Sequence, residues 1–565
     1  MPALSQSAEI ASVHAPRERS AFQVPFNLAL LTITLLALIP NLSIGLHQFI
    51  NYDGYWHIFT AIQDKWPLFR SEWKRDAHPI LYYLVLRACA KLGHSHVIYR
   101  LPSIVPGIAS IFVLGKMAEK MFDSRTLAVL CAAAYGFSLT MIEIFCDVRS
   151  YPLALLFLLI ATYLFVQFVT GLTGPNFLRS KREAWFCFGC SAFATLALFT
   201  EYYAAFLFAA YPIAVALLCL FSSRIRDSFW IFARTRFVAL AAAIIVPCWG
   251  VWWLYRKHLR LQPTIQNNVV DFVWKPGSSV AGFLLGGLKA DFNFISPIET
   301  QSTALFVAIV LIAAAVIIVN FRSRPRAAGL LAPVILAVLT GELMVFSVAR
   351  RYPFGGFARQ QSILFPFIIL TGFLILDSLL RVLRFRGAKT VVLFVTAAAI
   401  ASSFEYHWQK FPKTSEELFT RDYREFRSAL PPPRAVYLDQ FSLIAYFTHT
   451  YEWQWRFARH LRPDQAVDEY QTVSPSGEQV IILRNLDCWN FNLDELAFYK
   501  TLAASLAGAR VRSANVFFLK QFPDTHPPSN ASEIEKISNL AQAAGLVVQP
   551  IAYDPGHAYM TVTLK

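Results

Sequence analysis

The feature that most constrains this chain is a succession of long apolar runs separated by short basic segments. The first run extends from Phe26 to about Leu46 and is long enough to cross a hydrocarbon core as a helix. Hydrophobic residues make up 56% of the chain and charged residues only 15%, which is typical of membrane proteins rather than soluble domains. The pattern predicts a multi-pass α-helical membrane protein with about 11 transmembrane helices. In chain order they are expected at about residues 26–46, 99–121, 125–144, 151–170, 185–200, 203–221, 237–255, 301–319, 328–348, 362–380 and 388–404.

Lysine and arginine are concentrated in the short connections between these runs, and their placement predicts the topology. The positive-inside rule assigns nearly all of the basic connections to the cytoplasmic side, together with the N-terminus. The net charge of +15 is therefore a topology signal and does not indicate a nucleic-acid partner. One basic connection, ARRYPFGGFARQQ at residues 349–361, falls on the outer side. This arginine segment predicts a phosphate-binding site.

Composition divides the chain into three parts. Residues 1–24 are polar and are predicted to form a flexible cytoplasmic N-terminus. Residues 25–404 contain the apolar runs, with a first outer loop over residues 47–98. Residues 405–565 alternate four strand-like stretches (RAVYLD, EQVIILRN, SANVFFLKQ and AYMTVTLK) with helix-like stretches such as FSLIAYFTHTY, which predicts a soluble α/β domain outside the cytoplasm. The tail has no Gly-rich phosphate motif and no metal-ligand spacing, so we expect the chemistry in the membrane part.

Ionisable residues collect on the predicted outer side. The first outer loop contains YDGYWH, in which Asp53 and His57 share a face if the segment is helical. Glu201 lies at the end of an apolar run, where ionisable groups usually line a cavity. The eight cysteines do not have the spacing of a disulfide framework. The residues expected within reach of the outer leaflet are Asp53, His57, Asp76, His78, Glu143, Asp147, Arg149, Glu201, Arg350, Arg351 and Arg359.

Each of these candidates also has a structural explanation. Arg149 stands at the start of an apolar run, where an arginine can snorkel towards the interface. His78 precedes Pro79 and can cap the helix that follows, and Glu201 can form an ion pair with an arginine. The first loop as a whole can be an amphipathic surface segment with its tryptophans at headgroup depth.

Four stretches resemble the GT-C superfamily of membrane glycosyltransferases, which take sugar from a polyprenyl-phosphate donor. They are YDGYWH, the His-Pro block with RLPS at residues 78–122, DVRSYP, and the arginine segment with its Arg-Tyr-x-x-Pro element. The resemblance covers roughly residues 26–400 and is nearest to the bacterial branch related to protein mannosyltransferases, aminoarabinose transferases and lipopolysaccharide-core transferases. The matched positions include Asp53, His78, Arg149, Tyr151, Arg351 and Tyr352.

The resemblance implies an inverting transfer of sugar to an acceptor hydroxyl at the outer leaflet, with Asp53 as the general base. Donor phosphate would be bound by Arg351, Arg359 and Arg149, because the guanidinium fork suits phosphate oxygens. The acceptor would be a glycan, a lipid or a protein, among the surrounding membrane lipids. The resemblance and the short loops favour a bacterial inner membrane. The remaining substrate-binding residues would be His57, Asp76, His78, Tyr151, Glu201 and Tyr352.

Two departures from the family pattern concern metal dependence and the His-Pro block. Gly54 follows Asp53 where many relatives have a second acid, and Ile80 replaces a second proline. No cofactor is certain from the sequence. Because histidine and carboxylate suit divalent cations, a metal held by Asp53 and His57 stays open.

Two other classes of protein share some of these features. A transporter or lipid flippase also has many spans and intramembrane charge, but it commonly shows internal repeats and charges at the membrane midplane. A non-catalytic scaffold with an outer binding domain would leave the outer acids and arginines unexplained. The clustering of charge at one leaflet favours the enzyme over both.

Overall fold

The structure of the chain is a computed structural model. It describes residues 23–48, 50, 52–63, 65–75, 78–93, 95–172, 182–269, 272–295, 302–323, 327–383 and 385–411, and in the tail residues 435–438, 457–459, 469–473, 479–483, 495–508, 512–519, 530–553 and 557–565. Asp76 and the predicted tail helix FSLIAYFTHTY lie outside the described residues.

The membrane part is entirely helical where the structure describes it. Its helices are α1 (Gln23–His47), α2 (Tyr52–Ala61), α3 (Trp66–Arg75), α4 (Ile80–Ala90), α5 (His96–Met121), α6 (Arg125–Gly136), α7 (Leu139–Cys146), α8 (Tyr151–Leu172), α9 (Arg182–Leu198), α10 (Ala204–Phe221), α11 (Ser223–Thr235), α12 (Phe237–Val269), α13 (Val280–Ile295), α14 (Thr303–Ser323), α15 (Ala327–Val348), α16 (Ala358–Gln361), α17 (Phe365–Val382) and α18 (Arg386–Lys410).

Every apolar run predicted to span the membrane is helical, although the third is divided into two helices. Among the described residues, seven helices are long and apolar enough to cross a bilayer: α1, α5, α8, α12, α15, α17 and α18. The predicted third span is broken into α6 and α7, which meet at 58°, and it would make an eighth. The predicted fifth, sixth and eighth spans correspond to α9, α10 and α14, whose described residues do not meet the same criteria of length and composition.

Close helix packing holds α1, α5 and α7 together. A methyl group added at Gly115 of α5 would lie 2.3 Å from Leu30 of α1, so only glycine permits this approach. At the amino end of α5, the buried Arg100 donates to the carbonyl of Cys146 (2.8 Å) and to that of Gly45 (3.0 Å). One guanidinium group therefore ties the carboxyl ends of α1 and α7 to α5 just before the first outer loop begins.

The segment predicted as the first outer loop folds into three short helices. Asp53 lies in the first turn of α2, where the helix dipole favours a carboxylate. His57 follows one turn later, so the predicted shared face is confirmed by the helix. The HPILYY stretch leads into α4, in which Tyr82 is buried against Ser103 of α5 and Tyr83 is buried against Phe69 and Trp73 of α3. The loop is thus packed inward, and it is not only a surface segment.

The tail contains the predicted α/β elements. Its described strands form one mixed seven-stranded sheet in the order β2-β3-β4-β1-β5-β7-β6, in which β1 pairs in parallel with both β4 and β5. The four predicted strands are β1, β4, β5 and β7, whereas β2, β3 and β6 were not predicted. The elements are β1 (Ala435–Leu438), β2 (Phe457–Arg459), β3 (Glu469–Val473), β4 (Gln479–Leu483), α19 (Glu495–Gly508), β5 (Ser513–Leu519), α20 (Asn530–Ala543), β6 (Leu546–Tyr553) and β7 (His557–Leu564).

A contact between two glycines fixes the arginine segment against α13. Gly355 has φ 66°, and a methyl group added to it would lie 2.3 Å from the Cα atom of Gly287. At Gly287, an added methyl would lie 2.5 Å from the ring of Phe354. Neither glycine position therefore has room for a side chain, and the backbone of the arginine segment packs directly against α13.

Gly355→Ala is expected to destabilise the protein through both the strained φ and the overlap with α13. The two terms together are worth about 2–5 kcal/mol. Gly277 is a matched control, because it also has a positive φ (90°) but has no atom within 4 Å of an added methyl. Gly277→Ala should cost only the φ term, about 1–2 kcal/mol. Thermal unfolding of the two variants in detergent separates the terms, and equal effects would show that the glycine contact is unimportant.

Candidate active site

Asp53 is held between two arginines that come from distant parts of the sequence. Arg359 donates through Nη2 to Oδ2 of Asp53 at 3.0 Å, and Arg149 forms an ion pair with the same oxygen. Arg359 also lies 4.0 Å from Oδ2 of Asp147, at the carboxyl end of α7. The Asp53 side chain remains 34% exposed, so a ligand can reach it. Asp53 is therefore an accessible carboxylate held by two cations.

Both predicted histidines lie beside Arg149. Its Nη1 donates to Nε2 of His57 (3.2 Å) and is 3.4 Å from Nε2 of His78. The two imidazole rings are 4.9 Å apart, and His57 also packs against the rings of Tyr82 and Tyr83. Arg149 is only 6% exposed, so it does not snorkel to the interface. It is the centre of the cluster and links the first outer loop to α8.

Glu201 completes the cluster from the turn between α9 and α10. It accepts hydrogen bonds from Nδ1 of His78 (3.1 Å), from the hydroxyl of Ser150, and from the N–H of Tyr202 (3.3 Å). Burial by itself raises the pKa of Glu201, but the charge of His78 and these hydrogen bonds outweigh it, so the pKa is lowered. Glu201 therefore pairs with His78 rather than with an arginine, and it orients the His78 ring towards Arg149.

Glu201→Gln is expected to destabilise the protein by about 1–3 kcal/mol at pH 7, since a buried acceptor loses its charge. Because the folded-state pKa lies below the unfolded value, the contribution is present above the unfolded pKa. It is lost as the pH falls through the folded pKa. The difference in stability between wild type and Glu201→Gln should thus become smaller as the pH falls. Thermal unfolding against pH measures it, with the exposed Glu405→Gln as control; a gap independent of pH would contradict the ionised state of Glu201.

Residues of the His-Pro and RLPS motifs hold the backbone of Arg149 in place. Ser103 donates its hydroxyl to the carbonyl of Arg149 (3.0 Å), and the same hydroxyl lies 2.9 Å from that of Tyr82. The N–H of Leu81 donates to the carbonyl of Phe199 (3.0 Å), which brings α4 to the turn that carries Glu201. The N-cap of α4 is Pro79, with no side-chain cap, so His78 does not cap this helix.

The arginine segment presents its arginines differently. Arg359 lies on the short helix α16 and points to Asp53, whereas Arg351 is exposed and forms no ion pair with any described residue. Tyr352 is anchored by its hydroxyl, which donates to the carbonyl of Gln360 (2.9 Å), and Gln361 donates to the carbonyl of Pro353 (2.9 Å). Arg350 has φ 59°, an unusual conformation for a residue with a side chain.

The structure brings together six of the ten predicted site residues in one contact network: Asp53, His57, His78, Arg149, Glu201 and Arg359. Tyr151, two residues after Arg149, is the first residue of α8. Its ring stacks on that of Tyr203, with ring centroids 5.9 Å apart. Asp147 and Ser150 were not among the predicted site residues, although both flank the predicted Arg149. Their position in DVRSYP was the available signal. A further acid, Asp291 of α13, had no sequence signal that separated it from the rest of its loop.

The geometry does not suit a metal at Asp53 and His57. Nε2 of His57 and Oδ2 of Asp53 both face Arg149, and a guanidinium group repels a divalent cation. Within the part of the chain that the structure describes, no three histidine, cysteine, aspartate or glutamate side chains are grouped to hold a metal ion. We therefore derive no chemistry through a metal here.

Comparison with known proteins identifies the fold. No protein-family profile and no curated protein sequence matches the chain. Among solved structures, it is similar to ArnT from Cupriavidus metallidurans in the apo state, with a TM-score of 0.56 and 12% identity over 95% of this chain and 98% of that one. The same protein bound to undecaprenyl phosphate gives a TM-score of 0.51 and 13% identity with the same coverage.

The chain therefore shares the fold of ArnT along nearly its whole length. The predicted fold class, a multi-pass helical membrane protein with a C-terminal α/β domain, is confirmed. At 12–13% identity the likeness shows the fold alone and does not assign a branch.

Proposed function

We propose that this protein is an integral-membrane glycosyltransferase that moves a sugar from a polyprenyl-phosphate donor to an acceptor hydroxyl at the outer leaflet. The observation that carries the proposal is the accessible Asp53 between Arg149 and Arg359. A carboxylate can take the proton of an attacking hydroxyl, and paired guanidinium groups can bind a leaving phosphate. The fold shared with an undecaprenyl-phosphate-binding protein supports the same class of donor.

In the proposed reaction the acceptor hydroxyl oxygen attacks the anomeric carbon from the side opposite the phosphate. Its proton passes to Asp53 while the new glycosidic bond forms. The bond between the anomeric carbon and the phosphate oxygen breaks, and polyprenyl phosphate leaves with the electron pair. Attack and departure on opposite faces invert the configuration. Arg359 and Arg149 stabilise the negative charge that grows on the leaving phosphate.

Charge balance in the site explains how one pair of arginines serves both groups. Without donor, Asp53 neutralises part of their charge through Oδ2. A donor phosphate would share the same guanidinium groups and loosen their hold on Asp53, which becomes a better base when less tightly paired. His57 and His78 beside Arg149, with Asp76, Tyr151 and Tyr352, are proposed to border the sugar and the acceptor.

We also propose a membrane location and a glycosyltransferase branch for this protein. The basic connections favour a cytoplasmic N-terminus, with the site and the α/β tail on the outer side of a bacterial inner membrane. The motif order favours the branch of protein mannosyltransferases and aminoarabinose transferases. The acceptor is a glycan, a lipid or a protein hydroxyl.

Native mass spectrometry of the purified protein tests the proposed donor class. The full-length chain in detergent is offered undecaprenyl phosphate in competition with phosphatidylglycerol, which is anionic but has no polyprenyl chain. Saturable binding of undecaprenyl phosphate at least tenfold tighter than phosphatidylglycerol is expected. Equal binding of the two lipids would overturn the glycosyltransferase proposal and favour a transporter or flippase.

A further inference from the structure

Helix α13 carries a buried acid that no described residue satisfies. Asp291 is only 2% exposed, and neither of its carboxyl oxygens has a hydrogen-bond partner among the residues that the structure describes. Buried polar groups are nearly always hydrogen-bonded, because leaving a carboxyl group dry and unpaired is costly. Burial raises the pKa of Asp291 to about 8, so without a ligand the side chain carries a proton at neutral pH, whereas hydroxyl groups that donate to both oxygens would favour the ionised carboxylate. An acid kept at this cost indicates a missing ligand.

Asp291 faces the arginine segment. It lies four residues after Gly287, so the two share one face of α13, and Gly287 touches Phe354 and Gly355. The charge of Asp291 also acts on the phenol of Tyr352 in the same segment. Helix α13 packs directly on α7, which ends at Asp147, and on α16, which holds Arg359. The buried acid therefore adjoins the elements that surround Asp53, on a side where no arginine is paired with it.

Two polar groups of the arginine segment, which packs against α13, offer a hydrogen-bond acceptor rather than a donor. Gln361 is fully buried and its amide nitrogen is already bonded to the carbonyl of Pro353, which leaves its Oε1 without a described donor. Tyr352 has its hydroxyl proton committed to the carbonyl of Gln360. A phosphate is unsuited to such a place, because its oxygens are acceptors as well. A ring with several hydroxyl groups supplies the donors that are lacking.

We propose that Asp291 binds the sugar of the donor by accepting hydrogen bonds from its hydroxyl groups. This inference rests on the proposed function. Different parts of the site then bind different parts of the donor. The phosphate lies at Arg149 and Arg359, and the sugar reaches the hydrogen-bond acceptors of α13 and α16. The carboxyl group has two oxygens, so it can hold two neighbouring hydroxyls and distinguish sugars by the arrangement of these hydroxyls.

Paired binding measurements test the role of Asp291. Native mass spectrometry gives Kd values of the full-length protein for undecaprenyl phosphate and for undecaprenyl phosphates that carry a hexose, a pentose or an aminopentose. Wild type should bind its preferred loaded lipid about tenfold or more tightly than the unloaded lipid. Asp291→Asn and Asp291→Leu should lose most of this preference while binding unloaded undecaprenyl phosphate within about twofold of wild type, as expected for loss of hydrogen bonds to one charged group.

The control for charge removal is Asp227→Asn, since Asp227 is 69% exposed on α11 and far along the chain from the site. Thermal unfolding checks the fold: removing an unpaired buried acid should leave the melting temperature at neutral pH unchanged or higher. Full retention of the preference in both Asp291 variants would overturn the inference, as would equal weakening of loaded and unloaded lipid. No preference of wild type for any loaded lipid would overturn it too. The proposed function fails separately, if wild type does not prefer undecaprenyl phosphate to phosphatidylglycerol.

Discussion

Asp53→Asn should lower the rate of glycosyl transfer by about 10²–10⁴-fold, the usual contribution of a general base. Asparagine keeps the shape of the side chain and one oxygen for the arginines, but it cannot take the proton of the acceptor. The lipid site is therefore expected to remain, and KM for the donor should change much less than kcat. The measurement is transfer from a sugar-loaded undecaprenyl phosphate to acceptor in detergent or proteoliposomes. Donor binding is followed in parallel by native mass spectrometry.

Binding of unloaded undecaprenyl phosphate distinguishes a catalytic role of Asp53 from a purely structural one. Because Asp53 competes with phosphate for Arg149 and Arg359, its neutralisation should strengthen or preserve undecaprenyl phosphate binding. Asp227→Asn serves as the matched control on both readouts. An Asp53→Asn enzyme that turns over within threefold of wild type would exclude Asp53 as the base. A variant that loses lipid binding together with turnover would indicate that Asp53 mainly holds the arginines in place.

The spans and the motif-bearing elements could be predicted because their signals are local. An apolar run of membrane length predicts a helix without any information from the rest of the chain, and each predicted span is helical in the structure. The positions of Asp53 and His57 on one helical face followed from their four-residue spacing. The break between α6 and α7 carried no such signal, since the predicted third span is apolar across Phe137 and Ser138.

Partner choice in the site could not be predicted, because it depends on contacts over long sequence separations. His78 and Glu201 are 123 residues apart, and Asp53 and Arg359 are 306 residues apart. The sequence favoured Arg351 as a donor-phosphate ligand through its family motif. In the structure it is Arg359 that reaches Asp53, because the short helix α16 turns its side chain inward. Asp291 was overlooked for the same reason: only the packing of α13 reveals that it is buried.

Arg359→Ala is expected to weaken undecaprenyl phosphate binding by about 10–100-fold. A charge-assisted hydrogen bond contributes roughly 1.5–3 kcal/mol, and each 1.4 kcal/mol is a factor of ten in Kd. Arg359→Lys should recover only part of the loss, since lysine keeps the charge but lacks the planar fork that holds two phosphate oxygens. Arg149→Ala should be at least as damaging, because Arg149 also contacts Asp53, His57 and His78. Titration by native mass spectrometry measures all three variants.

Arg351→Ala is the matched comparison within the same segment. Its side chain is exposed, so water and salt screen its attraction for a phosphate, and we expect a change of less than about threefold in Kd. Salt supplies a second test: raising ionic strength should reduce the small Arg351 effect further and leave most of the Arg359 effect, since Arg359 is only 29% exposed. If instead Arg351→Ala weakens binding more than Arg359→Ala, the donor phosphate lies outside the Asp53 cluster. Asp53 would then be too far from the leaving group to share its arginines.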